Sequence, residues 1–545
     1  MSLTITRTPS ANERPLTIGM ILEGGVRNAP AQEIVYAGKL RMSYRDMEQR
    51  VHRLAGVLAS AGVKPGDTVA VMDWDSHRYL ECFYAIPMMG AVLHTVNVRL
   101  SPEQILYTIN HAEDDVILVN REFLPLLEEI KDRIEPVKKY ILLDDEGGDL
   151  DTALPIHGEY EQLLEGAEPC FDFPELDEDT RATTFYTTGT TGLPKGVYFS
   201  HRQLVLHTFA SRTAISGKGQ GQFDRTDVYM PITPMFHVHA WGIPYAATLT
   251  GVKQVYPGRY EPATLLKLLV TEKVTFSHCV PTIIQMLLQA EAAKSVDLNG
   301  WKVIIGGSAL PPALAKAAMA RGIDIYTGYG MSETCPLMTL ALLTPEEAAL
   351  DEEQQVDLRT RTGRPVPGVQ IRIVDEDMND VPHDGKSQGE VVARAPWLTQ
   401  GYLKDPDNSE ALWAGGWLHT GDVAVMTEDG WLKIVDRIKD VIKTGGEWVS
   451  SLDIEGLILQ HDGAAEAAVV GIPDAKWGER PLALVVKKPG ADIDEQSVKD
   501  LVMGYADKGV ISKYGVPDRV KFVDELPRTS VGKLDKKKMR AEMAD

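Results

Sequence analysis

Residues 67–96 read DTVAVMDWDSHRYLECFYAIPMMGAVLHTV: a short β-branched run, a mixed helical stretch, then Gly90 and a second apolar run. This is β-α-β grammar, which implies a parallel sheet with helices on its faces. The grammar returns farther along, with strand-like 274–277, 303–305 and 323–326 alternating with helix-like 282–289 and 313–321. Pro281 and the Pro311-Pro312 pair stand where helices should begin, because proline's fixed φ suits the first helical turn. A large α/β body follows. Beyond about residue 360 the pattern becomes short strands punctuated by glycine, GVQIRIVD (368–375), GEVVARAP (389–396) and GWLKIVD (430–436), which reads as a β-rich subdomain. The final hundred residues change again. Strand-like EAAVVGI (466–472), PLALVVKK (481–488) and RVKFVDEL (519–526) surround a helical stretch at 495–506, a small α+β unit. The charged segment DRIKD, Asp436–Asp440, lies between apolar runs and divides the chain into 1–436 and 437–545.

The 545 residues exceed the roughly 250–300 at which one hydrophobic core stops growing, so more than one domain is required. Hydrophobic residues make up 44% and charged residues 25%, near the averages for soluble globular proteins, which counts against disordered, collagen-like and membrane-embedded classes. Fifty-six Lys and Arg against 78 Asp and Glu leave a net charge of −22. Such a balance repels nucleic acid and anionic lipid, so an anionic ligand must meet a local basic site. Cys82, Cys170, Cys279 and Cys335 are scattered without a Cys-x-x-Cys pair, suggesting neither a zinc site nor a disulfide framework. Met1–Pro15 shows no basic region followed by an apolar core, and about 18 consecutive apolar residues occur nowhere, so a cytoplasmic protein is expected.

The segment richest in chemistry is Tyr186–Val197, YTTGTTGLPKGV. Its three glycines allow close backbone approach, its four threonines offer hydroxyls and Lys195 adds a positive charge, the inventory of a phosphate-cradling loop. It is not a Walker A loop, because Pro194 interrupts the required spacing and both flanks, ATTFYTT and GVYFS, read as strands.

The string resembles the phosphate loop of the adenylate-forming superfamily, which includes acyl-CoA synthetases, firefly luciferase and peptide-synthetase adenylation domains. Similar motifs follow in that family's order: GGSAL (306–310), GYGMSET (328–334), WLHTGD (417–422), DRIKDVIKTGGEWV (436–449) and PRTSVGKLDK (527–536). PMFHVHAW (234–241) and KTGGEWVSS are most similar to bacterial fatty acyl-CoA synthetases. Thr188 stands where many members have serine, with the hydroxyl retained.

The resemblance implies an AMP-forming reaction in two halves. A carboxylate attacks the α-phosphate of ATP to give acyl-adenylate and pyrophosphate, then coenzyme A displaces AMP. It implies that Thr187, Thr188, Gly189, Thr190, Thr191, Gly192 and Lys195 cradle phosphate, and that Gly307, Ser308, Ala309, Gly328, Tyr329 and Gly330 hold adenine. Ser332 then meets the α-phosphate, Glu333 and Thr190 serve Mg²⁺, and Asp422 and Arg437 take the ribose hydroxyls. Lys533 bridges carboxylate and α-phosphate and stands with Lys195 and His237 among the catalytic residues. His237 lines the acid site and Trp241 gates a fatty-acyl tunnel. Lys439 is the hinge of a mobile C-terminal domain, whose second face presents Lys443, Gly446 and Trp448 to coenzyme A. Trp477 either faces the coenzyme A nucleotide or packs in a core. Lys536, Lys537 and Lys538 read as a solvated basic run. The expected substrate is a medium- to long-chain fatty acid. The alternatives are a short, methylthio- or cyclic acid and a carrier-loading adenylation enzyme. Relatives of this kind form homodimers, so a homodimer is expected.

Overall fold

Thr68–Met72 and Val92–Thr95 are adjacent parallel strands joined by the helix His77–Met88, as the 67–96 grammar requires. All nine strand residues are buried, the burial expected of a parallel strand covered on both faces. This is a computed structural model and it describes residues 5–6, 8–11, 14–187, 193–217, 219–444, 447–528 and 534–543. Among the described residues the strands form four principal sheets. A seven-stranded sheet carries Thr68–Met72 at its centre and ends on the antiparallel pair Arg181–Thr187 and Lys195–Ser200. A nine-stranded sheet holds Phe276–Cys279, Lys302–Ile305 and Asp324–Gly330 as parallel neighbours. Helices pack on these sheets; Pro281 and Pro312 each occupy a first helical turn.

The β-rich subdomain is a four-stranded antiparallel sheet, Gln370–Val374, Gly389–Arg394, Leu418–Met426 and Leu432–Arg437. The C-terminal α+β unit pairs the long antiparallel strands Ala464–Asp474 and Gly478–Lys487, adds Arg519–Phe522 in parallel, and packs the helix Glu495–Asp507 on them. Its core is separate, built from Ile442, Ile454, Val469, Val485 and Val502. Mixed α/β architecture with a large N-terminal and a small C-terminal domain is thus established. Among the described residues no helix is long and apolar enough to cross a membrane.

Candidate active site

The chain leaves the seven-stranded sheet at Thr187 and re-enters opposite it at Lys195, the strand-to-strand connection read from the flanks. Thr188, Gly189, Thr190, Thr191 and Gly192 lie outside the described residues, as do Gly446 and Lys533. Past the loop, Val197 bridges to Tyr402 and the Leu403 amide donates to the Gly196 carbonyl at 2.8 Å. That pairing carries Tyr402 to the loop's exit, where the Lys195 ammonium sits 4.6 Å from its ring centroid, a cation–π contact. The Tyr402 hydroxyl donates to Glu333 Oε1 at 2.8 Å. Glu333 belongs to the short 3₁₀ turn Ser332–Thr334, and its side chain is buried. Burial pushes its pKa up, while the Tyr402 bond and the charges of Arg437 and Lys195 pull the other way.

Gly328, Tyr329 and Gly330 end the strand Asp324–Gly330, so Tyr329 stands at the C-terminal end of an interior strand of the sheet. Glycine at 330 is obligatory there, since a Cβ would lie 1.7 Å from the Pro336 carbonyl oxygen. The Tyr329 hydroxyl donates to Asp422 Oδ2 at 2.6 Å, and Arg437 Nε lies 3.0 Å from Asp422 Oδ1. Asp422 and Arg437 are directly opposed on neighbouring antiparallel strands, which is why two motifs 15 residues apart in sequence meet. Burial and then Asp422 raise the Tyr329 pKa well above the ordinary phenol range. The Asp422 carboxylate chiefly, against the cost of burial, holds Arg437 above the usual guanidinium value. Together these side chains form one face with a buried acid, an aromatic hydroxyl and a half-exposed guanidinium.

The end of the segment Pro234–Trp241 is neither a right-handed helix nor an extended strand. Val238, His239, Ala240 and Trp241 have φ of 48°, 54°, 47° and 58°, and Gly242 continues at 71°. A left-handed run of non-glycine residues costs about 1–2 kcal/mol per residue, and such strain persists only where the surroundings hold it. The turn folds the Trp241 indole over Gly306, whose Cβ would meet Trp241 Cη2 at 2.9 Å, and beside the His278 ring at 5.0 Å. Trp241 therefore touches the GGSAL segment directly. His237, one residue before the turn, donates its amide to the Pro234 carbonyl at 2.9 Å. His239 is fully buried among Phe83, Phe185 and Tyr245, with neither ring nitrogen hydrogen-bonded among the described residues. Burial and the nearby His207 push its pKa down to about 3, so its ring is neutral.

Lys439 follows the site strand. Burial, and after it the Arg437 charge, lowers its pKa. Lys443 and Trp448 face each other across the hairpin Ile442–Thr444 and Glu447–Val449, with Nζ 5.0 Å from the ring centroid. They line a cleft of about 520 Å³ with Glu390 and Ile438. Trp477 packs half-buried against Tyr514, 5.4 Å between rings, so it is not a core tryptophan.

The AMP-binding enzyme family matches residues 22–403, and the AMP-binding enzyme C-terminal domain matches 453–533. The chain is 39% identical over 540 residues to the 3-methylmercaptopropionyl-CoA ligase of Ruegeria lacuscaerulensis, covering 98% of both chains. It is 41% identical over 512 residues to the long-chain-fatty-acid–CoA ligase of Thermus thermophilus, covering 92% of this chain and 90% of that one. The chain belongs to the adenylate-forming AMP-binding enzymes, in the acyl-CoA ligase group. Among solved structures, ATP-bound MatB from Rhodopseudomonas palustris superposes on this ligase with a TM-score of 0.82 at 26% identity, covering 98% of this chain and 99% of that one.

The ligase fold also brings in residues the sequence motifs omit. Tyr402 meets Glu333 from 69 positions away, and nothing in GYLKD announces that partnership. Gly306, within the quoted GGSAL, carries the Trp241 contact. One reading is corrected outright. Lys536 is not a solvated tail residue: its ammonium lies buried, 2.8 Å from Glu455 Oε1, and donates to Ser451 Oγ. Ser451 in turn donates its amide to Asp436 Oδ2 at 2.7 Å. The first turn of the helix Lys536–Met543 packs its stem inward, so a basic run that looks uniform has one face in the core. Lys537 and Lys538 remain exposed.

Proposed function

We propose that this ligase joins a medium- to long-chain fatty acid to coenzyme A at the expense of ATP, through an acyl-adenylate. The observation that carries the nucleotide half is the Tyr329–Asp422–Arg437 cluster. A buried carboxylate accepts two hydroxyl donors well, an arginine fork supplies fixed donors, and a tyrosine face between glycines stacks a purine. In this reading Asp422 and Arg437 hold the ribose and the GGSAL backbone frames adenine. Lys195, already beside Glu333 through Tyr402, meets the phosphates with the threonines of its loop and with Ser332.

Chemistry here is chiefly positioning and charge stabilisation. The acid oxygen attacks the α-phosphorus and the bond to pyrophosphate breaks. Lys533, together with Lys195, offsets the charge that builds on the phosphoryl oxygens, and His237 lines the carboxylate's approach. In the second half the thiolate of coenzyme A attacks the acyl carbon and AMP leaves, with Lys443, Gly446 and Trp448 on the opposing face after the C-terminal domain turns about Lys439. The donor chemistry suits Mg²⁺, since a carboxylate oxygen is a usual ligand for it: Glu333, together with Thr190, would hold the ion, which would supply charge neutralisation for the leaving pyrophosphate, and burial of Glu333 works against its ionised form while Arg437 and Lys195 favour it. Such an ion takes most of its ligands from phosphate and water. A cytoplasmic location and a homodimeric state complete the proposal.

Likeness to the Thermus ligase supports a fatty acid; likeness to the Ruegeria enzyme supports a second reading, a short methylthio acid. The test is one panel: purified enzyme with ATP, Mg²⁺, coenzyme A and straight-chain acids from propanoate to hexadecanoate plus 3-(methylthio)propanoate, scoring AMP, pyrophosphate and thioester. Burying each methylene contributes about 0.8 kcal/mol, so kcat/KM should climb several-fold per carbon to a limit beyond about eight carbons. A peak at the methylthio acid without chain-length gain transfers the conclusion to the second reading. Formation of ADP sinks both.

A further inference from the structure

The turn that presents His237 and Trp241 hangs from two sheets at once. On one side Ile232 donates its amide, and Thr233 its hydroxyl, to the His278 carbonyl of the nine-stranded sheet, at 3.3 and 3.2 Å. On the other, the seven-stranded sheet reaches across and takes two consecutive residues. The Met235 amide donates to Asp75 Oδ1 at 2.8 Å, and Thr95 donates its hydroxyl to the Phe236 carbonyl at 2.9 Å. Thr95 ends the strand Val92–Thr95 and Asp75 follows the C-terminal end of the neighbouring parallel strand Thr68–Met72 by three residues, the edge at which open α/β sheets hold ligands. Asp75 is itself locked. Its carbonyl accepts from Gly258 at 2.9 Å, its Oδ2 accepts from the Tyr260 hydroxyl at 2.5 Å, and only 3% of the residue is exposed.

We propose that Asp75 is a positioning residue for the acid site: its carboxylate, anchored in the seven-stranded half, holds the Met235 amide and so sets the left-handed turn that aims His237 and Trp241. The proposal rests on the reading of Pro234–Trp241 as the acid-binding segment. Two observations favour it over a purely structural role. A carboxylate is a costly way to satisfy one buried amide and one hydroxyl, since a neutral amide side chain can pair with both without a charge to bury. And the turn downstream is strained in four successive residues, so its geometry depends on both of its ends being held. Gly242 holds the other end. It is packed so tightly on His207 that a Cβ would lie 2.8 Å from the imidazole.

The charge on this clamp changes near neutrality. Burial pushes the Asp75 pKa up to about 7 against the Tyr260 and Met235 bonds that lower it. The groups facing it are Arg99, which favours the ionised form, Asp73 and Tyr79 from its own segment, and Tyr229, Tyr256 and Tyr260 from the nine-stranded side. Ionised Asp75 accepts charge-assisted bonds from both donors, roughly twice as strong as neutral ones. The protonated form must turn one oxygen into a donor. The clamp therefore tightens as pH rises through the titration.

Three variants of the full chain test this, with octanoate as the acid and pyrophosphate release as the assay. In the unmodified enzyme KM for octanoate should fall as pH rises from about 6 to about 8, while KM for ATP stays level. Asp75→Ala should raise KM for octanoate about tenfold or more at every pH and leave KM for ATP within about twofold. Asp75→Asn, whose Oδ1 can still accept from Met235 while Nδ2 donates to the Tyr260 oxygen, should keep a low KM but lose its pH dependence. Tyr260→Phe removes a donor that favours the carboxylate and should move the midpoint upward, which a mere packing defect does not do. Hydrogen exchange of the peptide spanning 232–242, measured without substrate, should speed up in Asp75→Ala and be unchanged in Asp75→Asn. If no acid yields pyrophosphate with the unmodified enzyme, the functional reading fails, and the exchange experiment still decides the clamp. Exchange unaffected in Asp75→Ala, KM values for acid and ATP rising together, or an Asp75→Asn profile with its midpoint intact overturns the proposal.

Discussion

Lys536→Met isolates one buried charge of the C-terminal unit. Methionine keeps the apolar stem and removes the ammonium, so the loss is electrostatic rather than a cavity. What remains is Glu455, buried, with the Val469 amide donating to Oε1 at 2.7 Å, and Ser451, still donating to Asp436 but no longer accepting from Lys536. Removing one partner of a buried ion pair costs about 3–5 kcal/mol, because the other charge is left uncompensated. The protein's escape is to protonate Glu455. Burial already raises that carboxyl's pKa, and Lys536 is the first group opposing the rise, so without the lysine it climbs further. Folding then takes up a proton between the ordinary glutamate pKa and the raised one, where the native state binds more protons than the unfolded chain. Stability of the variant must therefore fall as pH rises across that window. In the unmodified chain Lys536 keeps its charge: burial disfavours it, but Glu455 and Asp436 more than offset that. Hydrogen exchange in the strands Ala464–Asp474 and Gly478–Lys487 reads the local unfolding free energy. It should quicken by roughly two to three and a half powers of ten at neutral pH, since about 1.4 kcal/mol is a factor of ten. The acceleration should be smaller near pH 5, and the double change Lys536→Met with Glu455→Leu should recover much of it. Exchange within about threefold of the unmodified protein, or a defect that does not shrink in acid, would refute the assignment of a working buried pair.

Three further outcomes follow from the site. Lys533→Ala should cut ATP-dependent adenylation by two to three orders of magnitude, about 2.7–4 kcal/mol for one electrostatic donor. Thioester formation from supplied acyl-adenylate should largely persist, and equal loss of both halves excludes the assigned role. Lys439→Pro, which fixes φ at the residue following Ile438, should leave pyrophosphate release measurable and cripple thioester formation; equal slowing of both places the pivot elsewhere. Trp241→Ala removes the indole from over Gly306 and should reorder the preferred chain lengths while KM for ATP moves less than about threefold, and an unchanged ranking shows that the indole does not gate the acid.

The parts legible in sequence were those whose chemistry is local. Strands such as TVAVM are apolar throughout because both faces are covered, so burial writes itself into consecutive residues, and prolines at 281 and 312 mark helix starts because φ is a property of the residue alone. Glycine at 330 was legible only through the motif that carries the resemblance, because the reason only glycine fits, the Pro336 carbonyl, is tertiary. What could not be read were partnerships across the chain. Tyr402 reaches Glu333 through the pairing of 402 and 403 with the strand after the phosphate loop. The left-handed turn at 238–241 arises because Asp75, Thr95 and His278 hold one side of it and Gly242 the other, and no propensity of Val-His-Ala-Trp favours that conformation. Lys536 was hidden by its neighbours: in a run of like charges nothing local distinguishes the one lysine that a helix face turns toward Glu455. The sequence by itself thus determined the alternation of elements, the order of the motifs and the family they belong to, since these depend on residue type and spacing. The tertiary structure alone decided which charges are buried, which carboxyl holds which donor and how the acid-site turn is strained, because those energies depend on distance and desolvation between residues that the chain separates by tens to hundreds of positions.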